Sequence, residues 1–348
     1  MITRTPIAVH CEEVEPEAPV SDTSVGDWQQ QLRDVIRDPA ELCRHLGLDF
    51  EWLSGARRGH DLFPVRVPLA YLSRIRRGDP NDPLLRQVLP LGAEGDAVRG
   101  YVDDPLEERD HTPRPGLIHK YPGRALLIAS PTCAINCRYC FRRHFPYADN
   151  APSMREWERT LNYLREDDSI QEAILSGGDP LASPDRRLAA LVARLDAIPH
   201  LKRLRIHTRL PVVIPDRVND ALLEWLGSTR LQKVMVLHIN HAQEIDEAVV
   251  AACVRLKAAG VTLLNQSVLL RGINDDVDTL VALSERLFEA GILPYYLHVL
   301  DPVSGAAHFD VPDDEARDLV DALRQRLAGF LMPRLVREVP GERSKTPL

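Results

Sequence analysis

The stretch ALLIASPTCAINCRYCFRRHFPY, residues 125–147, joins an apolar, β-rich run to a loop that carries three cysteines. Cys133, Cys137 and Cys140 form a C-x3-C-x2-C pattern there. Three thiolates at that spacing can converge on one soft-metal centre, because a short loop can turn three Cβ vectors inward. They are one ligand short of a closed tetrahedral zinc site. No His or Cys follows at zinc-finger spacing, although His144 is near enough to be a fourth ligand. A [4Fe–4S] cluster on three thiolates would instead leave one iron open to a substrate or cofactor. At this point both readings stand.

Working outward, the apolar run recurs. After ALLIAS (125–130) come EAILS (172–176), RLRIHT (203–208), KVMVLHI (233–239), VTLLNQSVLL (261–270) and LPYYLHVL (293–300). Between them lie amphipathic stretches such as PDRRLAALVARLDAI, QEIDEAVVAACVRLKAAG and VDTLVALSERLFEAG. Near-continuous apolar strands alternating with helices predict an α/β fold with a parallel sheet covered on its outer face. About six such units are too few for a complete eight-unit barrel and fit an open partial (β/α)6 barrel. A last run, RLVREVP (334–340), precedes the tail GERSKTPL.

In parallel barrels the active groups sit on the loops after the strand C-terminal ends. The polar punctuation falls at those positions. The three cysteines follow the first strand, Ser176-Gly177-Gly178-Asp179 the second, and Thr208-Arg209 the third. His238 and Asn240 close the fourth, Gln266 and Ser267 lie in the fifth, and Asp301 follows the sixth. One rim would collect the whole set.

Upstream, residues 1–25 are rich in Glu, Pro, Ser and Asp without periodicity and read as a mobile arm. Residues 26–116 read as a helical region. Trp28, Leu32, Val35 and Ile36 recur at three- and four-residue steps, Asp38-Pro39 separates two helices, and 79–116 is dense in turn residues. The partial barrel then spans 117–333, and 334–348 forms a C-terminal segment. The 348 residues carry 43 Lys plus Arg against 51 Asp plus Glu, a net charge of −8, which argues against an unspecific nucleic-acid binder. No apolar run is long enough for a membrane span, and the N-terminus lacks an export signal, so a cytoplasmic protein is expected. A disulfide framework is not expected there. Cys43 and Cys253 then read as buried small hydrophobes, and Cys11 as part of the arm.

Single motifs are weaker than the set. SGGDPL offers two glycines for close backbone approach and an acid for an ammonium group, or else a tight turn with Asp179 as a helix N-cap. His238 reads as a core histidine or as a cofactor contact. Arg138, Arg142 and Arg143 crowd the cysteine loop. Arg143 reads as solvated, whereas a buried guanidinium there would need a planar anion such as an α-carboxylate.

Taken together, IHKYPGRALL, PTCAINCRYCFRR, ILSGGDPL, RLPVVIPDRV, LHINHAQEI, NQSVLLRGIND, PYYLHVLD and PGERSKTPL resemble the lysine 2,3-aminomutase family of radical S-adenosylmethionine (SAM) enzymes. The resemblance runs from about Leu117 to Lys345, in family order. It implies a [4Fe–4S] cluster on Cys133, Cys137 and Cys140 with SAM on the fourth iron, and a pyridoxal 5′-phosphate (PLP) group. It also implies migration of an amino group from Cα to Cβ of an amino acid. Ser176, Gly177, Gly178, Asp179, His238 and Gln266 would face SAM. Lys345 would be the Schiff-base lysine, with Lys120, Tyr121 and Arg124 near the PLP phosphate. Arg142 would grip the substrate carboxylate with Arg138 nearby, and Asp301 and Glu338 would receive the far ammonium of L-lysine. The family commonly has Arg at Lys120 and Asp at Glu338.

The abrupt ending after Lys345 resembles the branch that makes (R)-β-lysine for elongation factor P. That resemblance implies functional links to elongation factor P and its lysine ligase, and an external electron donor of flavodoxin or ferredoxin type. No nucleic acid or membrane is expected as a partner. Alternatives are an aminomutase for free lysine, arginine or glutamate, or a non-catalytic metal-binding module.

Overall fold

In the computed structural model, which describes residues 27–147 and 154–348, the apolar runs form a single nine-stranded sheet whose strand order follows the chain. The expected arm, with Cys11, lies outside the described residues. Short helices come first: α1 (Trp28–Arg33), α2 (Pro39–Leu46), α3 (Phe50–Leu62), α4 (Leu69–Leu72) and α5 (Pro83–Arg86). Asp38 caps α2 by accepting from Ala40 N, with Pro39 at the first turn, so the dipeptide that separates two helices in the sequence starts the second.

A hairpin follows, β1 (Leu117–Tyr121) antiparallel to β2 (Arg124–Ser130), turned by Gly123 at φ 76°. Helices then alternate with strands: α6 (Met154–Glu166), β3 (Glu172–Gly177), α7 (Asp185–Asp196), β4 (Arg203–Thr208), α8 (Leu210–Val213), α9 (Asp220–Ser228) and β5 (Gln232–Leu237). The series continues with α10 (Glu247–Ala258), β6 (Val261–Val268), α11 (Val277–Glu289), β7 (Leu293–His298) and α12 (Asp313–Arg324). Asn219, Asp246 and Asp276 each cap the helix that follows, which is why polar loops return promptly to helix.

From β2 to β7 all pairings are parallel, which gives the six strands expected. The short run β8 (Arg334–Arg337) adds a seventh, pairing parallel with β7 from Tyr296↔Arg334 to His298↔Val336. Periodicity could not count it as a βα unit, because RLVR is brief and half charged. Finally β9 (Thr346–Pro347) folds back antiparallel on β8, with Val336 opposite Pro347 and Arg337 opposite Thr346.

Strand pleating sorts the side chains. Ala125, Leu127, Ala173, Leu175, Leu204, Ile206, Met235, Leu237 and Leu263 share one core with helix residues such as Leu161, Leu188, Leu222 and Leu256. The opposite parity puts Ser176, Arg205, His207, His238, Gln266, Tyr296 and His298 on the concave face. Leu42, Leu46, Tyr71, Leu84 and Leu85 of the N-terminal helices belong to that same outer core, so this layer is continuous with the barrel. A second core, with Leu297, Val320, Leu323 and Leu335, seats α12 and β8. No helix among the described residues is long and apolar enough to cross a membrane.

Candidate active site

The cysteine loop leaves β2 and is gripped by the N-terminal layer. Arg138 is fully buried. Its Nε and Nη2 donate to Glu94 at 2.9 and 2.5 Å, Nη1 to the Phe63 carbonyl at 2.6 Å and Nη2 also to the Gly59 carbonyl at 3.0 Å. The expected approach of Arg138 to the substrate is therefore corrected: these bonds engage every nitrogen of its guanidinium and pin the loop. Arg143, expected in solvent, is buried too and donates to Glu94 at 2.7 Å. Main-chain bonds reinforce the grip, from Asn136 N to Arg66 O at 3.0 Å and from Arg138 N to Gln87 O at 2.9 Å.

Two of the loop thiols are raised by their surroundings. Burial pushes Cys140 up to about 11, with Cys137 adding to the effect. Burial also pushes Cys133 well up, followed by Cys140, Asp179 and Cys137. Binding a metal centre there would release protons, as thiolate ligation requires. Among the described residues, no three His, Cys, Asp or Glu side chains close on a position that one ion could fill. His144, the conceivable fourth zinc ligand, bonds the Ser304 carbonyl at 3.1 Å instead. Cys43 and Cys253 are buried, and burial pushes the Cys253 thiol up to about 12, as inert core cysteines should behave.

Beside the loop, a Cβ at Gly177 would stand 2.7 Å from the Ser130 carbonyl oxygen, and one at Gly178 2.6 Å from that of Thr132. The paired glycines are thus what lets β3 close on the cysteine loop. Asp179 is a second correction. It accepts from Leu181 N at 3.0 Å, Thr208 Oγ1 at 2.6 Å, Arg209 N at 2.7 Å and Leu210 N at 2.9 Å. These four bonds fill the carboxylate, so it caps and ties the turn after β4 and has no acceptor left for SAM's amino group. Ser176 Oγ accepts from Arg142 Nη1 at 3.0 Å.

His238 Nε2 and Gln266 Oε1 are buried on the concave face without a hydrogen-bond partner, as are His207 Nε2 and His298 Nε2. Buried polar atoms are rarely left unpaired, so a lumen with four of them is built to receive a polar ligand. Burial holds the His238 imidazole down to about 4, with Arg209, Arg142 and Lys345 adding repulsion. It also holds His207 and His298 well below the ordinary range. All three are neutral near pH 7 and able to donate or accept. Sequence reading missed His207 and His298, although their parity with Arg205 and Tyr296 was visible.

At the other end of the lumen, the β8–β9 turn brings the tail back over the barrel mouth. Lys345 Nζ donates to Glu338 Oε2 at 2.8 Å, and Lys120 Nζ donates to Glu338 Oε1 at 2.9 Å and to the Leu106 carbonyl at 2.8 Å. Glu338 thus bridges the two lysines expected around PLP and, in this structure, does not offer an open carboxylate to a substrate ammonium. The two ammonium groups outweigh burial and hold its carboxyl well below the ordinary range. The Arg124 guanidinium stacks 4.4 Å from the Tyr121 ring centroid, and Lys345 Nζ lies 5.8 Å from that of Tyr296. Lys345, Lys120, Tyr121 and Arg124 therefore converge, a cationic and aromatic cradle whose donor set suits a phosphorylated pyridine.

Asp301 differs from Glu338. Among the described residues no basic side chain pairs with it, and burial followed by Glu338 pushes its carboxyl up to about 7. Arg142 is held edge-on by Glu108, with Nε and Nη2 each 2.7 Å from a carboxylate oxygen. Glu108 was not legible as a site residue, because it lies in an acidic, turn-rich loop with no periodicity.

Residues 127–283 match the Radical SAM superfamily. The chain is 53% identical over 323 residues to an L-lysine 2,3-aminomutase of Escherichia coli K12, covering 92% of this chain and 94% of that protein. It is 49% identical to the L-lysine 2,3-aminomutase of Haemophilus influenzae, covering 92% of this chain and 95% of that one. The enzyme of the same name from Clostridium subterminale is 36% identical over 94% of this chain and 79% of its own length.

Proposed function

This chain belongs to the lysine 2,3-aminomutase family of radical SAM enzymes, which are isomerases, and on that premise we propose that it converts L-lysine to (R)-β-lysine for attachment to elongation factor P. The family works with a [4Fe–4S] cluster, SAM and PLP. Here Cys133, Cys137 and Cys140 would hold the cluster, His238 and Gln266 would meet SAM, and Lys345, Lys120, Tyr121 and Arg124 would hold PLP. When bound, the cluster and SAM supply a carbon-centred radical and PLP delocalises the unpaired electron of the substrate.

The protein's own part is to bind, orient and balance charge. Arg142 is bonded through Nε and Nη2 to Glu108 and through Nη1 to Ser176 Oγ and the Gly177 carbonyl, so a substrate carboxylate would have to replace the two Nη1 contacts, the longest of the four. Asp301 receives the far ammonium. Glu338 holds Lys345 and Lys120 side by side through its two oxygens, where both would be available to a phosphorylated pyridine. The neutral imidazoles of His207, His238 and His298 add no positive charge that would repel the substrate's ammonium.

The observation that carries the lysine reading is Asp301. Asp301 is a half-buried carboxylate that Lys345 and Lys120 offset only in part, so a ligand bringing an ammonium would stabilise its charge, whereas a glutamate side chain would add a like charge. The elongation-factor part rests on the sequence resemblance to that branch, and a cytoplasmic location and a flavodoxin- or ferredoxin-type donor go with it. Anaerobically reconstituted protein should turn L-lysine into (R)-β-lysine with SAM, PLP and dithionite, read by chiral chromatography and mass spectrometry. That product should then be joined to elongation factor P by the cognate lysine ligase. A protein with full iron and PLP that leaves L-lysine unchanged would refute the substrate, and a product that the ligase ignores would refute the pathway.

A further inference from the structure

Arg209 is a buried cation with no role assigned by the motifs. It follows β4, and its guanidinium is enclosed by groups from four other segments. Nη1 donates to Cys137 Sγ at 2.7 Å and to Tyr139 Oη at 2.9 Å. Nη2 donates to Gln87 Oε1 at 2.6 Å, Glu244 Oε2 at 2.7 Å and Tyr71 Oη at 3.3 Å. The anchors are themselves fixed. Glu244 Oε1 accepts from Asn240 N at 2.9 Å, His241 N at 3.2 Å and Gln87 Nε2 at 3.2 Å. Asn240 Nδ2 donates to Gln87 Oε1 at 3.0 Å and Tyr139 Oη at 2.7 Å. One nitrogen of the fork is therefore tethered to the N-terminal layer and the loop after β5, and the other is aimed at sulfur.

A hydrogen bond to a ligating sulfur, reinforced by positive charge, favours the more reduced state of the bound centre. We propose that Arg209 is a positioning residue that raises the reduction potential of a [4Fe–4S] cluster held by Cys133, Cys137 and Cys140. The inference rests on the cluster assignment made under Proposed function. The step it governs is a one-electron transfer: a low-potential flavin or iron–sulfur donor is oxidised, and the cluster is reduced. Arg209 keeps its proton and forms no covalent bond. Glu244 opposes its charge but bonds the nitrogen that does not touch sulfur, so the sulfur meets the cation first.

The test uses anaerobically reconstituted wild type, R209K and R209Q, each assayed for iron and sulfide and then titrated potentiometrically with EPR detection. The midpoint should move to lower potential in R209K, which keeps a charge but loses the fork, and further in R209Q. Iron-loaded variants with the wild-type midpoint would overturn the proposal. If R209Q retains no iron, R209K decides: a lowered midpoint supports the proposal and an unchanged one overturns it. Loss of iron from both variants also overturns it, because Arg209 would then be part of the folding of the loop. A wild-type protein that binds no cluster would instead refute the cluster assignment itself.

Discussion

The two ends of the barrel lumen hold their charges in opposite ways. At the cysteine loop, Arg138 and Arg143 share Glu94, Arg209 pairs with Glu244, and each of these side chains is almost wholly excluded from solvent. Main-chain carbonyls complete the shell of Arg138 and add to that of Arg143, while Arg209 is held by five side-chain contacts; Arg143 and Arg209 each keep one unpaired Nε. At the mouth, Lys120 and Lys345 share Glu338 through single contacts, and the side chain of Lys345 keeps 19% of its exposure. Among the described residues Asp301 forms no ion pair, and Lys345 and Lys120 only partly offset its charge. Charges that must stay put are held by several partners each, and charges that must exchange a partner for a ligand are held by few.

The sharpest break of that comparison concerns Lys345. Lys345→Ala should lower turnover by about 10³-fold or more, since a covalent anchor has no substitute in the cradle. Borohydride trapping of PLP-loaded wild type followed by peptide mapping should place the pyridoxyl label on Lys345, and a label on Lys120 would reverse the roles of the two lysines.

Next in size is Glu94→Gln, which leaves two guanidinium groups buried without their carboxylate. It should cost about 3–5 kcal/mol in chemical denaturation and reduce iron retention. Glu338→Gln, at the more open end, should cost clearly less. Equal losses from the two variants would erase the distinction between the firmly held and the exchangeable end.

Asp301→Asn should raise KM for L-lysine about 10- to 100-fold, as expected for a lost hydrogen bond to a charged group. Because the carboxyl titrates at about 7, only its ionised form attracts an ammonium, so kcat/KM for lysine should climb as pH rises through that value. The Asn variant should flatten this limb. The same raised value has the opposite sign for stability. The folded state binds the Asp301 proton more tightly than the unfolded chain does, so ionising Asp301 weakens the fold as pH rises from the ordinary carboxyl range to about 7.

The smallest effect belongs to Cys253→Ala, which should cost about 1–2 kcal/mol from lost packing and leave the iron content unchanged. Iron loss in that variant would undo the separation of core cysteines from the loop cysteines.

Much of this was legible in one dimension. The alternation of apolar runs and amphipathic segments fixed six parallel strands, because burial on both faces demands continuous apolar runs. Their polar ends located a common rim, and C-x3-C-x2-C located the metal loop. The boundary at Asp38-Pro39 was visible because capping is decided by neighbours in the chain. Asp179 had two readings in the sequence, and only its four protein donors chose between them.

The remainder depended on partners remote in sequence. Whether an arginine meets solvent, substrate or a buried acid is set by what packs across from it, and Glu94, Glu108 and Glu244 lie in segments whose patterns carry no such information. Arg138 and Arg143 were therefore misread together, while Arg209 hid a contact with Cys137. The sequence by itself determined the strand periodicity, the cysteine loop and the lysine near the tail, since each is written in local spacing. Only the tertiary structure decided which charges are spent on holding the loop and which stay available at the mouth, because electrostatic pairing depends on distance in space and on exclusion of water.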